Sequence, residues 1–373
     1  MLAIPVLLAA CAAPTLTSAP TLVAQRTVSA NPTQTAGSTA TVPVEATPTS
    51  RASLTPEFTR TPPLREPSWR ERVDVAVGPS AREDHTWTLT DDGTVAYLFG
   101  GRGAAGSVLG DLWQFELFTG TWSELHPSGD APASRFGHTA TWVPGVGIVV
   151  WSGQGARFFD DIWVYDPITN AWDELPSLGV VPEARYGSCA ALGPDTEMWI
   201  SHGFTADDGR FADTWSYNFE NGTWTNRTPT TGDLPVSRCL HDCFWSAGGD
   251  LVLYGGQTTG VTALGDLWNL DPANGWTRAP DPSPKPRNLY ALARGENNGI
   301  VFGGGSVDGG FLGDTWIVGD AGEFSPYSVV GEAPPARSSA TLIYSAPRDR
   351  YLLFGGMNAD GVLDDVWELS PDT

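Results

Sequence analysis

Lysine is nearly missing from this chain of 373 residues: Lys285 is the only one, and the formal net charge is −22. A nucleic-acid partner calls for clustered cations, so that balance argues against one, and equally against lying flat on anionic lipid. Cysteine is scarce, at four: Cys11, Cys189, Cys239 and Cys243. The apolar run that opens the chain is too short to span a bilayer, and no Lys or Arg stands before it. There is no Gly-x-Ser-x-Gly and no phosphate-binding loop.

What the chain has instead is tryptophan at a fixed interval. Trp113 and Trp122, Trp163 and Trp172, and Trp215 and Trp224 stand nine apart, and Trp268 and Trp276 eight apart. An aspartate precedes each first tryptophan by two: Asp111, Asp161, Asp213, Asp266, Asp314 before Trp316, and Asp365 before Trp367. An arginine opens each unit, at Arg82, Arg135, Arg185, Arg238, Arg287 and Arg337. The repeat of about fifty residues falls in the range of propeller blades. Between arginine and aspartate lies an apolar run ending in small residues, such as Tyr97-Leu-Phe-Gly-Gly101 or Ile300-Val-Phe-Gly-Gly304. Segments this short, rich in β-branched and aromatic residues and bounded by Gly, Pro, Asn and Asp, read as strands. Asp166-Pro167, Asn221-Gly222 and Asn274-Gly275 read as hairpin turns between the two tryptophan-bearing strands. Four strands make one small sheet that cannot bury both faces alone, and radial packing of such sheets solves that.

These motifs resemble the kelch-repeat family: an arginine-led first strand, a second strand ending in Gly-Gly, an aromatic strand and a final tryptophan strand. The resemblance covers roughly residues 67–373 and recurs six times. Two units depart from it, with Ser201-His202-Gly203 in place of Gly-Gly in the third and Phe324 in place of the last tryptophan in the fifth. The expected fold is all-β, a six-bladed kelch-type β-propeller. The last unit stops just after Trp367 and lacks a fourth strand, whereas Trp69 precedes Arg82 by the spacing that Trp122 keeps from Arg135. The segment around Trp69 is therefore expected to close the sixth blade and remove the open sheet edge.

Ahead of the propeller, Leu8-Ala9-Ala10-Cys11 resembles the lipobox of bacterial lipoproteins, which implies a signal over 1–11 and acylation at Cys11. An ordinary cleaved signal or a chance apolar start are the alternatives. Residues 12–66 are dominated by Thr, Pro, Ala, Ser and Val and read as a disordered tether. The expected location is exported and lipid-anchored, facing the periplasm or exterior, with the membrane touched only through the anchor.

Three constellations invite a chemical reading. Cys189 and Cys243 fall four and five residues after their arginines, on neighbouring blades and opposite sheet faces, so a disulfide between them is possible. His85, His138 and His241 each stand three after an arginine near the axis, and Cys239-x-His241-x-Cys243 places three candidate ligands on one expected strand face; these are weak metal candidates, and no metal or other cofactor is expected. The six arginines and six aspartates pair in number, either as structural clamps or as a ring for an anionic ligand. No catalytic residue is assigned. Propellers of this kind include the copper enzyme galactose oxidase and the six-bladed sialic acid mutarotase, but the oxidase's Tyr–Cys cofactor and copper ligands find no positions here, and the mutarotase lends no motif. The sequence favours a binding module for an unidentified protein or glycan over a carbohydrate-acting enzyme or a surface scaffold. Its expected contact surface is the set of loops at 102–110, 154–160, 204–212, 257–265, 305–313 and 357–364.

Overall fold

Six antiparallel sheets follow one another around a central axis, five of four strands and the first of five, its extra strand being the two-residue Arg82–Glu83. The structure, a computed structural model, describes residues 66–371 apart from 74, 76, 207–208, 281–283 and 297; Cys11 and residues 12–65 of the expected tether lie outside the described residues. The second blade shows the plan, with strands Thr139–Val143, Gly147–Trp151, Ile162–Asp166 and Ala171–Glu174 running from the axis outwards. Gly147–Trp151 is buried throughout because a neighbouring blade covers each face, which is why the second strands read as unbroken apolar runs.

The last blade takes three strands from the C-terminal end, Thr341–Ser345, Arg350–Phe354 and Val366–Ser370. Its fourth is Ser68–Glu71, paired antiparallel with Val366–Ser370 so that Trp69 faces Leu369 and Glu71 faces Trp367. The chain thus closes its circle with its own first strand. Glu368, buried at that seam, receives Arg70 at 3.1 Å from the first strand, Arg72 at 3.0 Å from just beyond its end, and Arg348 at 2.7 Å from the preceding turn. Arg350 approaches the same carboxylate at 3.8 Å. Burial raises the carboxyl, but the arginines outweigh it and hold Glu368 below the usual glutamate range.

The core is six clusters, one at each junction between blades. The outer-strand aromatic of each blade packs against the blade before it: Trp122, Trp172, Trp224, Trp276, Phe324 and, through the closing strand, Trp69. Phe324 serves because Tyr254 comes within 4.7 Å of its ring and fills the remaining space.

Two rings of backbone hydrogen bonds join the blades. The second residue of each Gly-Gly pair (Gly101, Gly153, Gly203, Gly256, Gly304 and Gly356) donates its N–H to the carbonyl of the next blade's arginine, at 2.8–2.9 Å. Nearer the axis, Asp84, Gly137, Gly187, Leu240, Leu289 and Ser339 each donate to the carbonyl of the corresponding residue one blade back, in a closed circle. Glycine is required at the second position of the pair: at Gly101, φ is 103° and an added Cβ would lie 2.8 Å from the Glu83 carbonyl oxygen. The first position lies at φ 59–66°, inside the left-handed region that a side chain can adopt, whereas the second lies at φ 91–119°, so Ser152 (φ 64°) and His202 (φ 59°) occupy the first. That accounts for the departure in the third unit.

The placement of the arginines corrects one expectation. They do not lead the inner strands, which begin four residues later, as at Thr139, Cys189, Asp242, Ala291 and Thr341. The residue two after each arginine turns left-handed to make the axial ring, and that turn detaches the arginine from the strand.

Candidate functional site

Each arginine is buried and grips the aspartate of its own blade with both ends of the guanidinium, as Arg238 does with Asp266 at 2.8 and 2.6 Å. The pairs are Arg82–Asp111, Arg135–Asp161, Arg185–Asp213, Arg238–Asp266, Arg287–Asp314 and Arg337–Asp365. Each guanidinium also donates to the carbonyl of the first residue of the Gly-Gly position, for example Gly255 at 2.8 Å. The tryptophan two after each aspartate donates its indole N–H to the same carboxylate, 2.7 Å for Trp268. Burial raises the carboxyls of Asp111, Asp161, Asp266 and Asp314, but the arginine opposite wins and holds them below the ordinary range. The guanidinium groups are thereby consumed within the blades, and a ring of arginines open to an anion does not form.

His85, His138 and His241 are buried and do not converge. The Nε2 of His85 meets the Thr341 hydroxyl at 2.8 Å, and that of His138 meets the Thr86 hydroxyl at 2.8 Å, each across a blade junction. Burial and the adjacent arginines depress all three imidazoles, His138 to about 3, so they are neutral under ordinary conditions. The shared strand face expected for Cys239, His241 and Cys243 is overturned: the inner strand starts at Asp242, and Leu240 at φ 58° breaks the alternation. Cys243 is instead joined to Cys189 by a disulfide with Cα atoms 5.7 Å apart, bridging the inner strands of the third and fourth blades; Cys239 is a buried free thiol. Among the described residues no group of three or more His, Cys, Asp or Glu is placed to hold a metal.

The inner strands line an axial cavity of 270 Å³. Asp242 stands on its wall, and burial pushes its carboxyl up to about 7 against the opposing hydrogen bond from the Cys243 N–H. A raised carboxyl stabilises the fold fully below its unfolded value near 3.8, and that stability is lost as pH climbs towards 7. Asp242→Asn should therefore be more stable than the wild type above neutrality, by about 2–4 kcal/mol, and the gap should close near pH 4. Melting temperatures recorded from pH 4 to 8 check this, and parallel profiles for the two proteins would refute it.

At one mouth of that cavity the residues just after the arginines meet those just after the Gly-Gly positions, in pairs such as Phe136 with Gln154, Tyr186 with Phe204 and Cys239 with Gln257. One side of this rim is aromatic. Tyr186 lies 5.9 Å from Phe136, 6.3 Å from Phe158 and 5.6 Å from Phe204, centroid to centroid. Arg102 lies 4.9 Å over Phe136 and Arg210 5.1 Å over Phe204. Arg102 also holds Glu83 at 2.8 Å and faces Asp84 at 3.7 Å, offsetting the burial that raises both carboxyls. The other side is polar, with the Asn288 amide donating to Gln257 Oε1 at 3.1 Å. The expected loop surface contains Phe158, Phe204, Arg210 and Arg102, but Phe136 and Tyr186 come from the connections between blades. Sequence reasoning named the loops that carry four of these residues but singled out none of the six; Phe136 and Tyr186 stand one after their arginines, and Arg102 and Phe204 just after their glycines, where aligned repeats differ.

A six-bladed ring with buried arginine clamps and a variable rim is a kelch-type propeller. Residues 63–245 and 225–373 match the KLHDC2/KLHL20/DRC7 Kelch-repeats domain, and the chain belongs to the kelch-repeat family. It is 29% identical over 185 residues to tRNA wybutosine-synthesizing protein 4 of Aspergillus fumigatus, a match covering 48% of this chain and only 17% of that protein. It is 31% identical to Kelch domain-containing protein 3 of Bos taurus over 67% of each. Among solved structures, that of YjhT superposes with a TM-score of 0.61 at 18% identity, over 78% of this chain and 95% of the other, a likeness of fold.

Proposed function

We propose that this propeller is a binding module, exported and held to a membrane by lipid on Cys11, that engages a protein or glycan through the aromatic side of its rim. The observation that carries the reading is the continuous set of Phe158, Tyr186 and Phe204, partly open, backed by the buried Phe136 and flanked by Arg102 and Arg210. Aromatic rings and arginine supply large contact area at low entropic cost, which is what recognition surfaces are built from. Leu8-Ala9-Ala10-Cys11 and the Thr/Pro-rich stretch that follows supply the anchor and the reach.

The test has two arms. Full-length protein is screened on arrayed glycans and peptides, and Tyr186→Ala and Phe204→Ala should each weaken whatever binds by roughly tenfold or more at unchanged melting temperature. Binding that survives both substitutions would move the site elsewhere. Cells fed labelled palmitate should label the wild type and not Cys11→Ser; equal labelling would remove the anchor. A carbohydrate-acting enzyme is the second reading, favoured by one feature only, the Asp242 carboxyl poised near neutrality on the wall of the axial cavity.

A further inference from the structure

The face opposite the arginine clamps carries a second, separate cavity. It measures 330 Å³ and lies where the fifth and sixth blades meet, beside their innermost hairpin turns. Tyr344 and Tyr351 flank the turn of the sixth blade, and their rings meet at 4.6 Å with 43° between planes, forming an angled wall. Tyr327, from the outer side of the fifth blade, lines the same cavity. Tyr351 is fixed by donating its hydroxyl to the Asn298 carbonyl at 3.0 Å, and Tyr344 donates to the Asp349 carboxylate at 3.1 Å.

The charge here has one sign. Asp349 and Glu296 line the cavity, and among the described residues no basic side chain does. Arg294 pairs with Asp320 and Arg348 with Glu368, while Arg350 donates to the Asp349 backbone carbonyl and approaches Glu368 at 3.8 Å, leaving the Asp349 carboxylate to Tyr344. Burial, the bond to Asp349 and the charges of Asp349 and Glu296 push the Tyr344 phenol up to about 12. A phenol hydrogen-bonded to a carboxylate is an electron-rich ring, and electron-rich rings beside a negative charge attract cations. The chain as a whole, at −22, adds to that field.

We propose that the cleft of Tyr327, Tyr344 and Tyr351, with Asp349 at its rim, binds an alkylammonium group, the ring faces taking the methyl-bearing cation and the carboxylate balancing its charge. The volume suits a small head group, whether on a free solute or at the end of a larger molecule. The site is independent of the aromatic rim, since the two lie on opposite faces and share no residue.

Titration calorimetry of the full-length protein with tetramethylammonium, choline and phosphocholine tests this, with 3,3-dimethylbutan-1-ol as the uncharged analogue of choline and glucose as a neutral sugar. Saturable binding of tetramethylammonium and choline is expected, with the uncharged analogue at least about fivefold weaker. Asp349→Asn keeps an acceptor for Tyr344 and tolerates the left-handed backbone at φ 48°, so it should fold normally and bind choline about fivefold more weakly. Tyr344→Phe keeps a ring face but loses the electron-rich phenol, so it should bind more weakly than the wild type, and Tyr344→Leu should lose most binding. Phosphocholine binding as well as choline assigns the source to a head group; a preference for choline assigns it to a free solute. Equal affinity for the uncharged analogue, an unaffected Asp349→Asn, preferential binding of glucose or no saturable binding of tetramethylammonium would each overturn the assignment.

Discussion

Glu368→Ala should cost about 3–5 kcal/mol and lower the melting temperature by many degrees. Four arginines from two stretches of chain surround this one buried carboxylate, and Arg72 and Glu368 expose only 5% and 6% of their side chains. Removing the carboxylate leaves guanidinium groups repelling one another across the seam where the circle closes. Glu368→Gln should recover part of the loss, because its amide oxygen still accepts hydrogen bonds. Added salt should recover more in the alanine variant than in the wild type, since screening relieves like-charge repulsion. The carboxyl is depressed in the fold, so its contribution is present above the usual glutamate range and fades as acid protonates it below that. Thermal scans of the three proteins at two salt concentrations decide the matter; a Glu368→Ala scan that overlays the wild type would show that the seam is held by its apolar side alone.

Asp266→Ala is the second large effect, at about 3–5 kcal/mol. It strips the buried Arg238 of a two-pronged partner and leaves the Trp268 indole N–H without its acceptor. Because the clamp recurs, its strength can be graded within one molecule. The aspartate side chain is 16% exposed at Asp266 and 38% exposed at Asp314, where water is nearer at hand to replace it. Asp314→Ala should therefore cost distinctly less, and chemical denaturation of the two variants side by side measures the difference. Equal losses would show that desolvation does not set the worth of the clamp, and an unchanged Asp266→Ala would remove the clamp from the account of stability.

The repeat made most of the scaffold legible. Trp69 announced the closing strand through its spacing from Arg82, and the aspartates announced their arginines through equal number. What stayed hidden depended on backbone torsions that no residue type declares. Leu240, Leu289 and Ser339 are not glycines, yet each turns left-handed to complete the axial ring, and that turn moves the arginine out of the inner strand and separates Cys239 from Cys243. The rim stayed hidden for a different reason. Phe136 and Tyr186 lie about fifty residues apart in the chain, and only the circular arrangement brings their rings together. The tyrosine cleft escaped likewise, since Tyr327 and Tyr344 belong to different blades and neither sits on a repeated motif.

Both rings that join the blades are made of peptide groups, so the circle is held by atoms that every residue but proline possesses. Side chains one place away, at Glu83, Phe136, Tyr186, Cys239, Asn288 and Ser338, are free of that duty. Of those six, Tyr186 is partly open and the other five are buried. A change of ligand would therefore start at Tyr186 and at the residues just after the Gly-Gly positions, while the frame's bonding pattern stays as it is.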